Sequence, residues 1–123
     1  MNNTLCWTDI PVRDLDRAIG FYSAVLGAKV LKQSAGPGME FGLLPGYDKG
    51  VSGCLCAGPS HVPSQQGPLI YLSADGRLDA ALSAAVAAHG KVLQPKHPIG
   101  AHGFRGIIED SEGNRIALHS QTS

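Results

Sequence analysis

The chain writes one pattern twice. "RDLDRAIGFYSAVLGAKVL", residues 13–31, and "GRLDAALSAAVAAHGKVL", residues 76–93, both read as a helix start, an apolar helical stripe, a glycine stop and the opening of a strand. In the first copy Asp14 is a good N-cap, because its short carboxylate can accept from free N–H groups of the first turn. Leu15, Ala18, Ile19, Tyr22, Val25 and Leu26 then recur at helical spacing on one stripe. Gly27 supplies the stop, since helices commonly end in left-handed backbone that glycine enters without a steric cost. In the second copy Leu78, Ala81, Leu82, Ala85 and Val86 make the stripe and Gly90 the stop.

The repeat extends into the flanking strands. Thr8 aligns with Ile70 and Ile10 with Leu72; Leu15–Asp16 align with Leu78–Asp79; Lys29–Leu31 align with Lys91–Leu93. The helix pairs lie one residue further apart than the strand pairs, so a single inserted residue accounts for the whole alignment. Each half then reads as strand, helix and three strands. The first half has strands over 5–12, 28–34, 39–46 and 51–58. The second has strands over 68–75 and 91–95, a loop over 96–103, and a hairpin of 104–110 and 114–120 around the turn "SEGN". The stretch 58–68, "GPSHVPSQQGP", joins halves of about 1–58 and 68–123 within one domain. A chain of 123 residues suits one domain with a modest core.

Two long copies indicate a duplicated module rather than a solenoid. One helix covers only one face of its sheet, so the other face must be closed by a second sheet. The expected fold is therefore α+β: two βαβββ modules that pair to enclose a cleft. Strand parity places residues in it, because alternate side chains point to opposite faces. The smoothly apolar sets belong under the helices. The cleft then receives Trp7 and Asp9, Leu69 and Tyr71, and Arg115, Ala117 and His119.

Trp7, Leu69 and Tyr71 form an apolar, aromatic wall suited to a flat small molecule, with Asp9 or Arg115 fixing its polar end. His119 is a candidate general base, and Asp9 a candidate acid–base partner unless it is paired with Arg115. Cys54 and Cys56 point the same way along a strand and could join His119 in a soft metal site; two buried apolar thiols are the plainer reading. His97, His102, Lys96 and Arg105 lie in the 96–103 loop and just beyond it; an ordinary solvated loop is the plainer reading, and a lid that contacts an anion at the cleft mouth the sharper one. Glu40 and Glu109 are further acids without an identifiable partner.

"IPVRDLDRAIGFYSAVLGAKV" and "IIEDSEGNRIALHS" resemble the opening and closing signatures of the vicinal oxygen chelate superfamily, the glyoxalase/bleomycin resistance/dioxygenase group. The resemblance spans essentially the whole chain and implies the paired βαβββ architecture. Function varies widely on this fold: metal-dependent lyases, dioxygenases, resistance transferases and metal-free drug binders all use it. In metal-dependent members the ligands, usually His, His and Glu, would fall on Trp7, Leu69 and Ala117. A further Glu would fall near Cys54–Cys56. Trp, Leu and Ala cannot ligate a divalent ion. The resemblance therefore implies a glyoxalase-like protein that binds a small organic ligand without the usual metal and with no cofactor. The alternatives are a lyase or dioxygenase with a relocated ligand set, and a drug-sequestering module.

Composition narrows the partners. Ten basic and ten acidic residues cancel, so no basic face invites nucleic acid. No apolar run approaches the roughly 18 residues of a membrane span, and "MNNTLCWTDI" lacks the basic and apolar regions of a signal peptide. Three cysteines, an odd number, fit a reducing cytoplasm. Zero net charge is compatible with self-association, and the resemblance implies that the halves close on each other within one chain or pair across a dimer, as in some relatives; a homodimer is expected.

Overall fold

A computed structural model describes residues 3–123. Its elements run β1 (Asp9–Val12), α1 (Leu15–Leu26), β2 (Leu31–Ser34), β3 (Glu40–Leu43), β4 (Cys54–Ala57), β5 (Ile70–Ser73), α2 (Leu78–Ala87), β6 (Lys91–Pro98), β7 (Phe104–Glu109) and β8 (Arg115–Ser120), with a short 3₁₀ turn at Gly100–His102. The order is strand, helix, three strands, twice. The strands form two four-stranded sheets ordered β1-β4-β3-β2 and β5-β8-β7-β6. In each, the first strand runs parallel to the last and the others pair antiparallel.

The helix signals act as read, with one exception. Asp14 is extended (φ −127°, ψ 105°) and its side chain accepts from Arg17 N–H, while Gly27 ends α1 in left-handed backbone at φ 66°. At the end of α2 the left-handed residue is His89 (φ 75°), not Gly90. His89 N–H donates to Val86 O and Gly90 N–H to Ala85 O, the paired bonds of a Schellman turn. Gly90 is required for space instead. A Cβ there would sit 2.7 Å from Glu109 O and 2.8 Å from the Phe21 ring.

The strands are shorter than the apolar runs imply, and one is longer. Leu5–Thr8 pair with no neighbouring strand, although Cys54 N–H still donates to Thr8 O. The expected loop after residue 95 is instead strand: β6 continues through Pro98. It is the outer strand of its sheet and shifts register against β7 at two places, so Pro95 and Pro98 interrupt no ladder.

Parity is as read where the strands form. Ile10 and Val12 of β1 and Ile116 and Leu118 of β8 are buried beneath the helices, while Asp9 and Tyr71 are exposed. The modules join chiefly through α1 and α2, which pack on each other inside one core running from Ile10 and Tyr22 to Ile108 and Leu118. Polar ties brace both ends of α1. At its N-terminus Glu112, from the β7–β8 turn, accepts from Arg13 N–H (2.9 Å), Asp14 N–H (2.8 Å) and the Arg17 guanidinium (2.7 Å). At its C-terminus Arg77 donates to Val25 O at 2.6 Å. An anion at the start and a cation at the end of a helix both oppose its dipole favourably. No helix among the described residues is long and apolar enough to cross a membrane.

Candidate functional site

β1 and β5 are edge strands of the two sheets, and residues of both line a crevice of about 990 Å³. Trp7, Asp9, Leu69, Tyr71 and Arg115 line it, together with Leu5, Leu26, Leu44, Val51 and Val62. Five of the seven residues assigned to the cleft by parity thus meet there. The other two do not. Ala117 is fully buried in the middle of its sheet, paired with Tyr71 on one side and Ile107 on the other. His119 opens instead into a smaller hollow of about 620 Å³ with Tyr71, Ile99, His102 and Arg105.

The local chemistry of the hollow is settled by hydrogen bonds. His119 Nε2 donates to His102 O at 2.6 Å, which leaves only Nδ1 as an acceptor. His97 donates from Nδ1 to Pro95 O and accepts at Nε2 from Arg105 Nε. Arg105 reaches across β8 to the Tyr71 hydroxyl and lies 5.9 Å from the centre of that ring. Lys96 pairs with Asp79, and Glu109 accepts from Gln65, so neither is a free acid or base at the mouth of the crevice. Glu40 lies on the far side of the first sheet, near Lys32.

Asp9 and Arg115 do not pair. Asp9 accepts from Cys54 Sγ at 3.2 Å and its other oxygen lies 4.0 Å from His61 Nε2. Cys54 and Cys56 neighbour each other with sulfurs 3.4 Å apart, without His119. Burial pushes both thiols up, and the neighbouring Cys54 and Asp9 push Cys56 further, to about 12. Arg115 sends one terminal nitrogen towards Gly67 O at 3.5 Å, and its Nε is buried with no partner among the described residues.

Sequence reasoning missed His61. It sits in the Pro/Gly joining segment, where a turn closed by His61 N–H on Gly58 O swings it back towards β1. Its only signal is the spacing Cys54-x-Cys56-x₄-His61.

A profile of the Glyoxalase/Bleomycin resistance protein/Dioxygenase superfamily matches residues 4–118. The chain belongs to that superfamily. Among solved structures, a glyoxalase/bleomycin resistance protein from Albidiferax ferrireducens T118 superposes with a TM-score of 0.74 at 18% identity, covering 96% of this chain and 98% of that one. A glyoxalase I mutant from Zea mays superposes with a TM-score of 0.69 at 24% identity, covering 95% of this chain and 46% of that one. These likenesses establish the fold. In sequence, the chain is 28% identical over 110 residues to a Mycobacterium bovis protein named "Putative glyoxylase CFP32". It spans 41% of that relative's own length. Trp7, Leu69 and Ala117, the positions onto which the resemblance carries three of the metal ligands, have side chains that do not coordinate a divalent ion.

Proposed function

We propose that this superfamily member binds a small organic acid in the β1–β5 crevice, without the usual metal centre. One observation carries the reading: Arg115 lines an apolar crevice with a buried Nε that has no partner among the described residues. A buried, unpaired guanidinium nitrogen is costly, and a carboxylate is the group that best satisfies it, by two parallel bonds. Trp7, Leu69 and Tyr71 supply a wall for an apolar or aromatic body. Asp9, exposed on the rim, disfavours a second negative charge there, so a monoacid fits better than a diacid.

Trp7 is the chain's one tryptophan, so its fluorescence reports occupancy directly. The test titrates aromatic monocarboxylates and their neutral amides into the protein and into Arg115→Met. The acids are expected to bind about tenfold or more tightly than the amides, and Arg115→Met to erase that difference. Equal affinity of acids and amides for the unaltered protein sinks the proposal.

The reading also takes the protein as a homodimer. β1 and β5 each present a free edge, which natural sheets usually cover. Light scattering on the purified protein decides it.

A further inference from the structure

We propose that Asp9, Cys54, Cys56 and His61 form a four-ligand zinc site on the uncovered face of the first sheet, with a thiolate-rich ligand set in place of the superfamily's usual histidines and glutamate. Three donors are already gathered: the Asp9 carboxylate and the Cys54 and Cys56 sulfurs all lie within 4.8 Å of one another. Register explains why. Asp9 pairs with Cys54 across the parallel β1–β4 ladder, and Cys56 follows two residues on, so all three side chains share one face. Their spacing is that of ligands around one ion. Tetrahedral zinc, with Zn–S of about 2.3 Å and Zn–O of about 2.1 Å, sets two sulfurs about 3.8 Å apart and a sulfur and an oxygen about 3.6 Å apart. The structure has 3.4 Å and 3.2 Å, so an ion enters by spreading the three slightly.

His61 supplies the fourth donor from a different element. Its Nε2 stands 4.0 Å from Asp9, on the turn that follows β4, outside the cluster that the other three donors form, so it must close on the ion as it binds. No lysine or arginine forms an ion pair with Asp9 among the described residues, so nothing competes for its carboxylate. Two thiolates with an imidazole select a borderline-soft ion over magnesium or calcium. On binding, each thiol releases its proton to water and each sulfur donates to zinc. Four protein ligands leave no open position, which marks a structural centre rather than a catalytic one. Its effect would be to pin residues 58–64, of which Val62 and Ser64 wall the crevice, against β1 and β4.

The experiment uses the full chain, chelator-treated and reduced, in a Cys6→Ser background that removes the exposed third thiol. Cobalt titration should give a thiolate-to-cobalt charge-transfer band and the visible bands of a tetrahedral ion, both abolished by added zinc. Cys56→Ser should lose about half of the charge-transfer intensity, in proportion to the thiolates remaining. His61→Ala changes a turn at the surface and leaves the core intact. It should weaken zinc, measured against a chromophoric chelator, by about tenfold or more. Zinc should raise the thermal midpoint of the parent protein and not that of Cys56→Ser. Absence of a thiolate band in the reduced, folded protein at saturating cobalt overturns the site. So does zinc affinity that is unchanged in both His61→Ala and Asp9→Asn.

Discussion

Glu112 ties the turn between β7 and β8 of the second module to the start of α1 in the first. Its side chain is buried, yet it accepts from two backbone N–H groups, the Arg17 guanidinium and the Ser111 hydroxyl. Burial alone pushes the carboxyl up; the bonds from Arg17, Asp14, Ser111 and Arg13 outweigh it and hold the group at about 2. A carboxylate held below its ordinary value stabilises the fold only while it is ionised. The stabilisation is complete above about pH 4.5 and disappears as pH falls towards about 2. Glu112→Gln should cost about 2–3 kcal/mol at neutral pH. Urea unfolding at a series of pH values should show parent and variant converging through that acidic window. Parallel curves would assign the stabilisation elsewhere. Tyr22 sits beside this network, its buried hydroxyl donating to Asp110 at 2.5 Å. Burial first, then the Asp110 charge, raises its phenol well above the usual range.

At the scale of elements, the two helices show how the same pattern can be stabilised differently. α1 carries its own N-cap in Asp14, and Asp14→Ala should cost about 1 kcal/mol in thermal unfolding. α2 begins at Arg77 with no side-chain cap, and Arg77 instead serves the end of α1. Gly27 accommodates this twice, by its φ of 66° and because a Cβ would meet the Arg77 guanidinium at 2.9 Å. Gly90→Ala should destabilise by about 1–3 kcal/mol, since the added methyl overlaps backbone that cannot retreat. Denaturant midpoints measure both variants.

The helices and strand faces were legible because periodicity and caps are local signals. Ile10, Val12, Ile116 and Leu118 lie where parity puts them. The length of β6 was not legible, since proline reads as a break and only the strand's edge position removes the objection. The site divides the same way. Trp7, Asp9, Leu69, Tyr71 and Arg115 follow from alternation along β1, β5 and β8. The separation of His119 from them depends on how the sheets are set against each other, and the nearness of His61 to Asp9 depends on one turn. Neither is written in spacing alone.

For the whole molecule, the decisive fact is that one core serves both halves. Phe21 and Val25 of the first module are buried in the same cluster as Leu78, Ala81 and Leu118 of the second. Neither half can cover its apolar stripe alone. Leu118→Ala, in the shared core, should cost about 3 kcal/mol and move a single unfolding transition rather than split it. Calorimetry reads this directly: two resolved transitions would mean that the halves melt independently.

The joining segment 58–68 contributes no residue to that core. A protease nick there, or two separate genes meeting at that point, would leave every buried contact between the halves available to be remade. The two pieces would then behave as a pair of complementing fragments, unfolded apart and ordered on mixing. Fused to separate baits, they would make a split reporter whose signal is the folding of the crevice itself.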